Sequence, residues 1–260
     1  MFVIYEVVSM KSRRPVNRLK DEFTTGSGKA QVVDSPSQLS HILWAANKGE
    51  TGKRNVALIW MLFGSGLRIN ECAQLKIKDI YFKNGELKQT FSLPGGYTKT
   101  GNSRTVFILV QQQREALERL RVYRLQNRVM ISSDGSYGGL SAESPLFLSL
   151  KGKHWRKFSF NDKRYKDAEG NIKTTKVCGS LENLARELIK KAGIHGGSSH
   201  SGRRSLATWM DRRGYSLNLI QYILGHSSTD MTLIYIDPWE KRIKNAFETS
   251  CSSLKVPEFI

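Results

Sequence analysis

The 260-residue sequence is poor in acids: 23 Asp and Glu stand against 41 Lys and Arg, a formal charge of +18. An excess of that size repels itself in the folded state unless an anionic partner takes it up, which directs attention to nucleic acid. Cysteine is scarce. Cys72, Cys178 and Cys251 are odd in number and far apart, giving neither a disulfide framework nor a zinc-ligand spacing. Long apolar runs are missing: the longest uncharged apolar stretch, Asn55 to Leu67, has 13 residues, too few to cross a bilayer. The opening residues carry no secretory pattern, because Glu6 interrupts the first apolar patch and the basic residues follow it. No internal repeat, low-complexity tract or cluster of paired carboxylates for a two-metal site is visible. These absences predict a cytoplasmic, nucleoid-associated protein with reduced thiols, no metal or cofactor, and no membrane partner. Apolar and aromatic residues, by contrast, make up 39% and 10% of the chain, enough for a folded core.

Along the chain, residues 1–33 read as a basic extension holding Arg13 and Arg14, and Gly26-Ser-Gly28 reads as a joint. Asp34-Ser-Pro-Ser predicts a helix start with Pro36 at the first helical position. Val56 to Phe63 is apolar on every side and predicts a buried helix, stopped by Gly64-Ser-Gly66. Arg68 opens a short helix through Gln74. Asn84-Gly85 between Ile80-Tyr-Phe82 and Leu87 is a hairpin signal, and Thr105–Leu109 supplies a further strand. A small three-stranded antiparallel sheet follows, with a hairpin tip presenting Lys99. Residues 111–130 form a charged helix. Lys151 to Lys176 holds nine basic and three acidic residues, with a turn at Glu169-Gly-Asn171 between Phe158-Ser-Phe160 and Ile172–Val177, so a basic hairpin inserted at 151–178 is expected. Leu181, Leu184, Ala185, Leu188 and Ile189 give the cleanest amphipathic helix. Helices over roughly 203–213 and 216–224 and a tail helix within 239–260 complete a mainly α fold centred on 34–238.

Several polar residues interrupt this apolar pattern. Arg68 sits between the core positions Leu67 and Ile69, and an ion pair with Glu71 one turn on accounts for it by itself. Arg203 and Arg204 follow His200 and precede Leu206, Ala207 and Trp209; a solvated helix start accounts for those. His226 lies in Leu-Gly-His-Ser-Ser, where Gly225 turns the chain, and Tyr235 follows on an apolar run that suits a core aromatic. Lys99 alone reads as a surface charge.

Taken in order, Ser65-Gly-Leu-Arg-Ile-Asn-Glu71, Thr98-Lys-Thr-Gly101, His200-Ser-Gly-Arg203, Leu224-Gly-His-Ser-Ser228 and Tyr235 resemble the tyrosine recombinase (phage integrase) family over roughly residues 35–245. The resemblance implies that family's catalytic-domain fold, mainly α with a small sheet. It implies a site-specific recombinase that breaks and rejoins DNA through a 3′-phosphotyrosine. Tyr235 would be the nucleophile, with Arg68, Lys99, His200, Arg203 and His226 around the scissile phosphate. The residue types suit the chemistry: guanidiniums give permanent bidentate charge to the non-bridging oxygens, His200 can relay the tyrosine proton, and Lys99 can protonate the leaving 5′ oxygen. The covalent ester conserves the bond energy, so neither ATP nor metal is needed.

Double-stranded DNA at a recombination site is then the expected partner, with Arg13, Arg14, Lys163, Arg164, Lys166 and Arg204 as contacts outside the site. Most family members carry a core-binding domain before the catalytic one, and residues 1–33 are too few for that bundle. Assembly as a tetramer on DNA through the tail, or help from an accessory protein or second recombinase, is expected in its place. Two alternatives stay open at this point: a type IB topoisomerase-like enzyme, and a catalytically silent DNA-binding protein of the same fold.

Overall fold

A computed structural model describes residues 30–98, 101–166, 170–226, 232, 233 and 235. Arg13, Arg14, Lys99 and the expected tail helix lie outside the described residues. The helices are α1 (Pro36–Ala46), α2 (Gly52–Gly64), α3 (Ile69–Gln74), α4 (Ile77–Ile80), α5 (Gln111–Gln126), α6 (Gly179–Lys191), α7 (Ser201–Arg212) and α8 (Leu217–Leu224). The strands are β1 (Thr90–Leu93), β2 (Arg104–Phe107), β3 (Ser149–Lys151), β4 (His154–Arg156), β5 (Asn161–Lys166) and β6 (Ile172–Val177). Among the described residues no helix is long and apolar enough to cross a membrane.

Local chemistry explains most starts and stops. Ser35 caps α1 by accepting the Gln38 amide at 3.2 Å, with Pro36 in the first turn. The apolar run folds as α2, where Ala57, Leu58, Ile59, Met61, Leu62 and Phe63 are buried. This helix is the centre of the core, and α1, α5 and α7 pack on it. Truncating a fully buried leucine there, such as Leu58, costs about 2–5 kcal/mol. Helix α7 crosses α2 at Gly202, where a Cβ would stand 2.7 Å from the Leu62 backbone; only glycine permits that approach. Helix α6 buries Leu181, Ala185, Leu188 and Ile189, the face read from its periodicity.

The sheet differs from expectation. Among the described residues β1 pairs only with β2, antiparallel, from Thr90 opposite Phe107 to Leu93 opposite Arg104. The expected third strand over Ile80–Phe82 is reduced to one bridge between Tyr81 and Leu87. The cause lies just upstream. The Asp79 carboxylate accepts the Lys76 amide at 2.8 Å, closing a helical turn, and Ile77 and Ile80 bury the same side of it. The Asn84-Gly85 turn does form, with the Phe82 amide donating to Glu86.

The basic segment forms two hairpins rather than one. Strand β3 pairs with β4 around Gly152, and β5 pairs with β6 from Asn161 opposite Val177 to Lys166 opposite Ile172. Phe158 and Phe160 do not enter the second hairpin. They pack half-buried against the core instead, which shifts its first strand to 161–166.

Candidate active site

The turn between α2 and α3 is pinned from two sides. Ser65 Oγ donates to the Phe107 carbonyl at 2.5 Å and accepts from Gln113 Nε2 at 2.6 Å. Arg68 then caps α3, its amide donating to Glu71 Oε2 at 2.8 Å and its Nη1 to Glu71 Oε1 at 2.9 Å. Glu71 is 1% exposed and also accepts Arg104 Nη2 at 2.8 Å, so one buried carboxylate bridges two guanidiniums. Burial alone would raise its pKa. The guanidinium of Arg104, then Arg68 with its amide, and Arg203 outweigh that and hold the carboxyl below the ordinary glutamate range.

Because of the Gly202 crossing, α7 delivers Arg203 to the same place. Its guanidinium is 1% exposed, donating from Nη1 to the Gly66 carbonyl at 2.7 Å and from Nη2 to Leu224. Burial, with Arg68 and Arg104 nearby, lowers its pKa to about 9, so the cation persists at neutral pH. Helix α8 ends at Gly225 in the left-handed region, and His226 follows, buried. His226 Nδ1 lies 2.9 Å from Thr232 Oγ1, and its buried Nε2 has no hydrogen-bond partner among the described residues. Burial and the three arginines push its pKa down to about 3, so the ring is neutral across the physiological range. Its centroid is 5.0 Å from the ring of Tyr235, which also receives the Arg203 guanidinium at 5.7 Å. The Tyr235 backbone is held by Thr208 Oγ1 at 3.2 Å. His200, at the start of α7, is exposed at the edge of this cluster. Partial desolvation lowers its pKa, aided by Arg68 and Arg203 and opposed by Glu182.

The arrangement gathers permanent positive charge, a neutral imidazole and a phenol over one buried carboxylate. Such an arrangement can receive an anion. Among the described residues no three His, Cys, Asp or Glu side chains are grouped to ligate a metal ion. A family model described as the phage integrase family matches residues 35–242. The chain belongs to the phage integrase family. It is 30% identical over 195 residues to the tyrosine recombinase XerA of Pyrococcus furiosus, a match covering 75% of this chain and 54% of that protein. It is 27% identical over 201 residues to the XerC of Pediococcus pentosaceus, covering 77% and 55%. The chain therefore spans about half the length of these curated relatives. In fold it is similar to a crystal structure of XerA recombinase, with TM-score 0.57 and 23% identity over 85% of this chain and 66% of that one. It is also similar to the Tn1549 transposon integrase in complex with transposon right-end DNA, with TM-score 0.54 and 18% identity over 88% and 68%.

Within this phage integrase domain the structure brings together Arg68, His200, Arg203, His226 and Tyr235 of the six residues singled out from sequence. Lys163, Arg164 and Lys166 are exposed on β5. Arg204 corrects its expectation as a DNA contact: it is 8% exposed and its Nη1 donates to the Ala30 carbonyl at 2.5 Å. The reason is helical geometry. One residue beyond Arg203, it projects to a different side of α7, where the segment before α1 covers it. Sequence reasoning missed Arg104 and Thr232. A period-two reading of β2 finds the first, because Val106 and Ile108 are buried and Arg104 shares their parity. Thr232 left no signal of its own in a polar stretch.

Proposed function

We propose that this chain carries the catalytic domain of a site-specific DNA recombinase that cuts and rejoins strands through a 3′-phosphotyrosyl bond at Tyr235. The observation carrying the reading is the close approach of the Tyr235 ring to buried His226, tilted at 35°, and to the Arg203 guanidinium, beside Arg68. The Tyr235 oxygen bonds to phosphorus as the 5′ oxygen leaves, and the second negative charge develops on the non-bridging oxygens. Arg68 and Arg203 stabilise that charge as preorganised donors. With Thr232 donating to Nδ1, His226 carries its proton on Nε2 and adds a neutral donor. His200 accepts the phenolic proton and Lys99 supplies one to the leaving oxygen. Because the ester conserves the energy of the broken bond, religation needs neither ATP nor a metal ion.

The substrate in this reading is double-stranded DNA, with Lys163, Arg164 and Lys166 on phosphates, and the working unit is a tetramer linked through the tail. Sequencing the junctions formed when the protein acts on two copies of the DNA flanking its own gene tests this. Reciprocal exchange at one position is the expected result. Relaxation of supercoils without exchange would favour a topoisomerase, and binding without cleavage a silent DNA-binding protein.

A further inference from the structure

The geometry points to Arg104 as a positioning residue that locks the Arg68 corner, the β1–β2 hairpin and the His226 turn into one unit, an inference that rests on the recombinase reading. Arg104 opens β2, five positions after Lys99 in sequence, and its side chain is 9% exposed. One end of its guanidinium holds Glu71 at 2.8 Å, and Glu71 in turn orients Arg68 through both side chain and amide. The other end, Nη1, donates to the Ile223 carbonyl at 3.3 Å. That carbonyl and the next, Leu224, belong to the last turn of α8. The amides of Gly225 and His226 turn back to Tyr222 and Gln221, which leaves the two carbonyls for guanidiniums: Arg104 takes one and Arg203 the other. Cations at a helix C-terminus are favoured by its dipole and satisfy otherwise orphaned acceptors.

The stem of Arg104 is as well placed as its head. A Cβ on Gly225 would stand 2.2 Å from Arg104 Cδ, so the turn that delivers His226 rests directly on this side chain. Gly225 has a positive φ as well, and glycine meets both demands. Arg104 Nε is buried with no hydrogen-bond partner among the described residues, so the side chain keeps a donor in reserve on the cluster. Moving the hairpin would thus move Arg104, and with it both the Arg68 corner and the His226 turn. Arg104 is not assigned contact with DNA; it acts through Glu71 and through the end of α8.

The test uses wild type, Arg104→Gln, Arg104→Lys, Glu71→Gln and the Arg104→Gln/Glu71→Gln double variant. Each is given a nicked duplex from the DNA flanking its own gene, and single-turnover cleavage is measured at saturating DNA beside Kd. Arg104→Gln should cleave roughly 10- to 100-fold slower with Kd little changed, a rate effect without a binding effect. Arg104→Lys should recover part of the rate, and Arg104→Gln should add little in the Glu71→Gln background. In the free protein, Arg104→Gln should shift the His226 ring resonances in NMR and leave those of His41 on α1 in place. Wild-type cleavage by Arg104→Gln, fully multiplicative effects, or unmoved His226 resonances would each overturn the assignment. If Arg104→Gln does not fold, Arg104→Lys decides: a loss of roughly tenfold supports the role and a wild-type rate overturns it. If wild type itself fails to cleave, the recombinase reading falls, and the His226 resonances alone decide whether Arg104 sets that turn.

Discussion

Replacing Glu71 by Gln removes a single charge and almost no volume, so its effect reports the electrostatics of the cluster. The carboxylate is 1% exposed and accepts from the Arg68 amide, Arg68 Nη1 and Arg104 Nη2. Breaking a buried ion pair by removing one partner costs about 3–5 kcal/mol. The retained amide oxygen and the 21% exposure of the Arg68 side chain pull the figure to about 3 kcal/mol. For a chain of this size that corresponds to a fall in Tm of roughly 6–12 °C. The pH dependence has a definite sign. The folded pKa of Glu71 is depressed, so its contribution is fully present above the ordinary glutamate value and is lost as pH falls through the lower folded one. Thermal unfolding followed by circular dichroism should therefore show a wide gap between wild type and variant at pH 7 that closes on the acid side. Protonation of His226 weakens both proteins alike and cancels in the comparison. Equal Tm values at pH 7, or a gap that grows toward acid, would refute the claim that Glu71 is the counter-charge of the cluster.

Other perturbations address the remaining parts. Gly202→Ala should lower stability by about 1–3 kcal/mol through overpacking against Leu62, seen as a reduced urea midpoint at unchanged slope; an unaltered midpoint would mean the helices part freely. Replacing Lys163, Arg164 and Lys166 with Ala should reduce the salt dependence of DNA binding by roughly 0.9 for each lost phosphate contact. Arg204→Ala, removing a buried side chain, should change stability and leave that slope alone. The acid limb of the cleavage profile should lie below the ordinary histidine value and belong to His200, so His200→Gln flattens it. His226→Gln should slow cleavage without reshaping the profile between pH 5 and pH 8, since His226 titrates near 3; a reshaped profile would reverse the assignments.

The parts of the fold written in local chemistry were legible in the sequence. Ser35-Pro36 caps its helix, the run from Val56 is buried, and the α6 stripe faces inward because each depends on neighbours within one or two turns. The sheet differs for a related reason: Ile80-Tyr-Phe82 has strand-like composition, but Asp79 closes a helical turn first, and side-chain capping outweighs propensity. The site was legible as an ordered set of residue types, and its wiring was not. Glu71 and Arg104 are 33 positions apart, Arg203 reaches across to Gly66, and no spacing rule encodes such pairs. A basic residue such as Arg204 is usually exposed, and its partner at Ala30 lies 174 positions away, beyond the reach of any local pattern.

If Tyr235 is the nucleophile, the covalent intermediate can be captured on it. Wild type and Tyr235→Phe are incubated, with EDTA present, on nicked duplexes from the DNA flanking the gene, then resolved under denaturing conditions and mapped by mass spectrometry. A DNA adduct on Tyr235 through a 3′ phosphate is expected, formed in EDTA by wild type and absent from Tyr235→Phe, which still binds DNA. An adduct on another residue, one that persists in Tyr235→Phe, or cleavage that requires added metal would contradict that role.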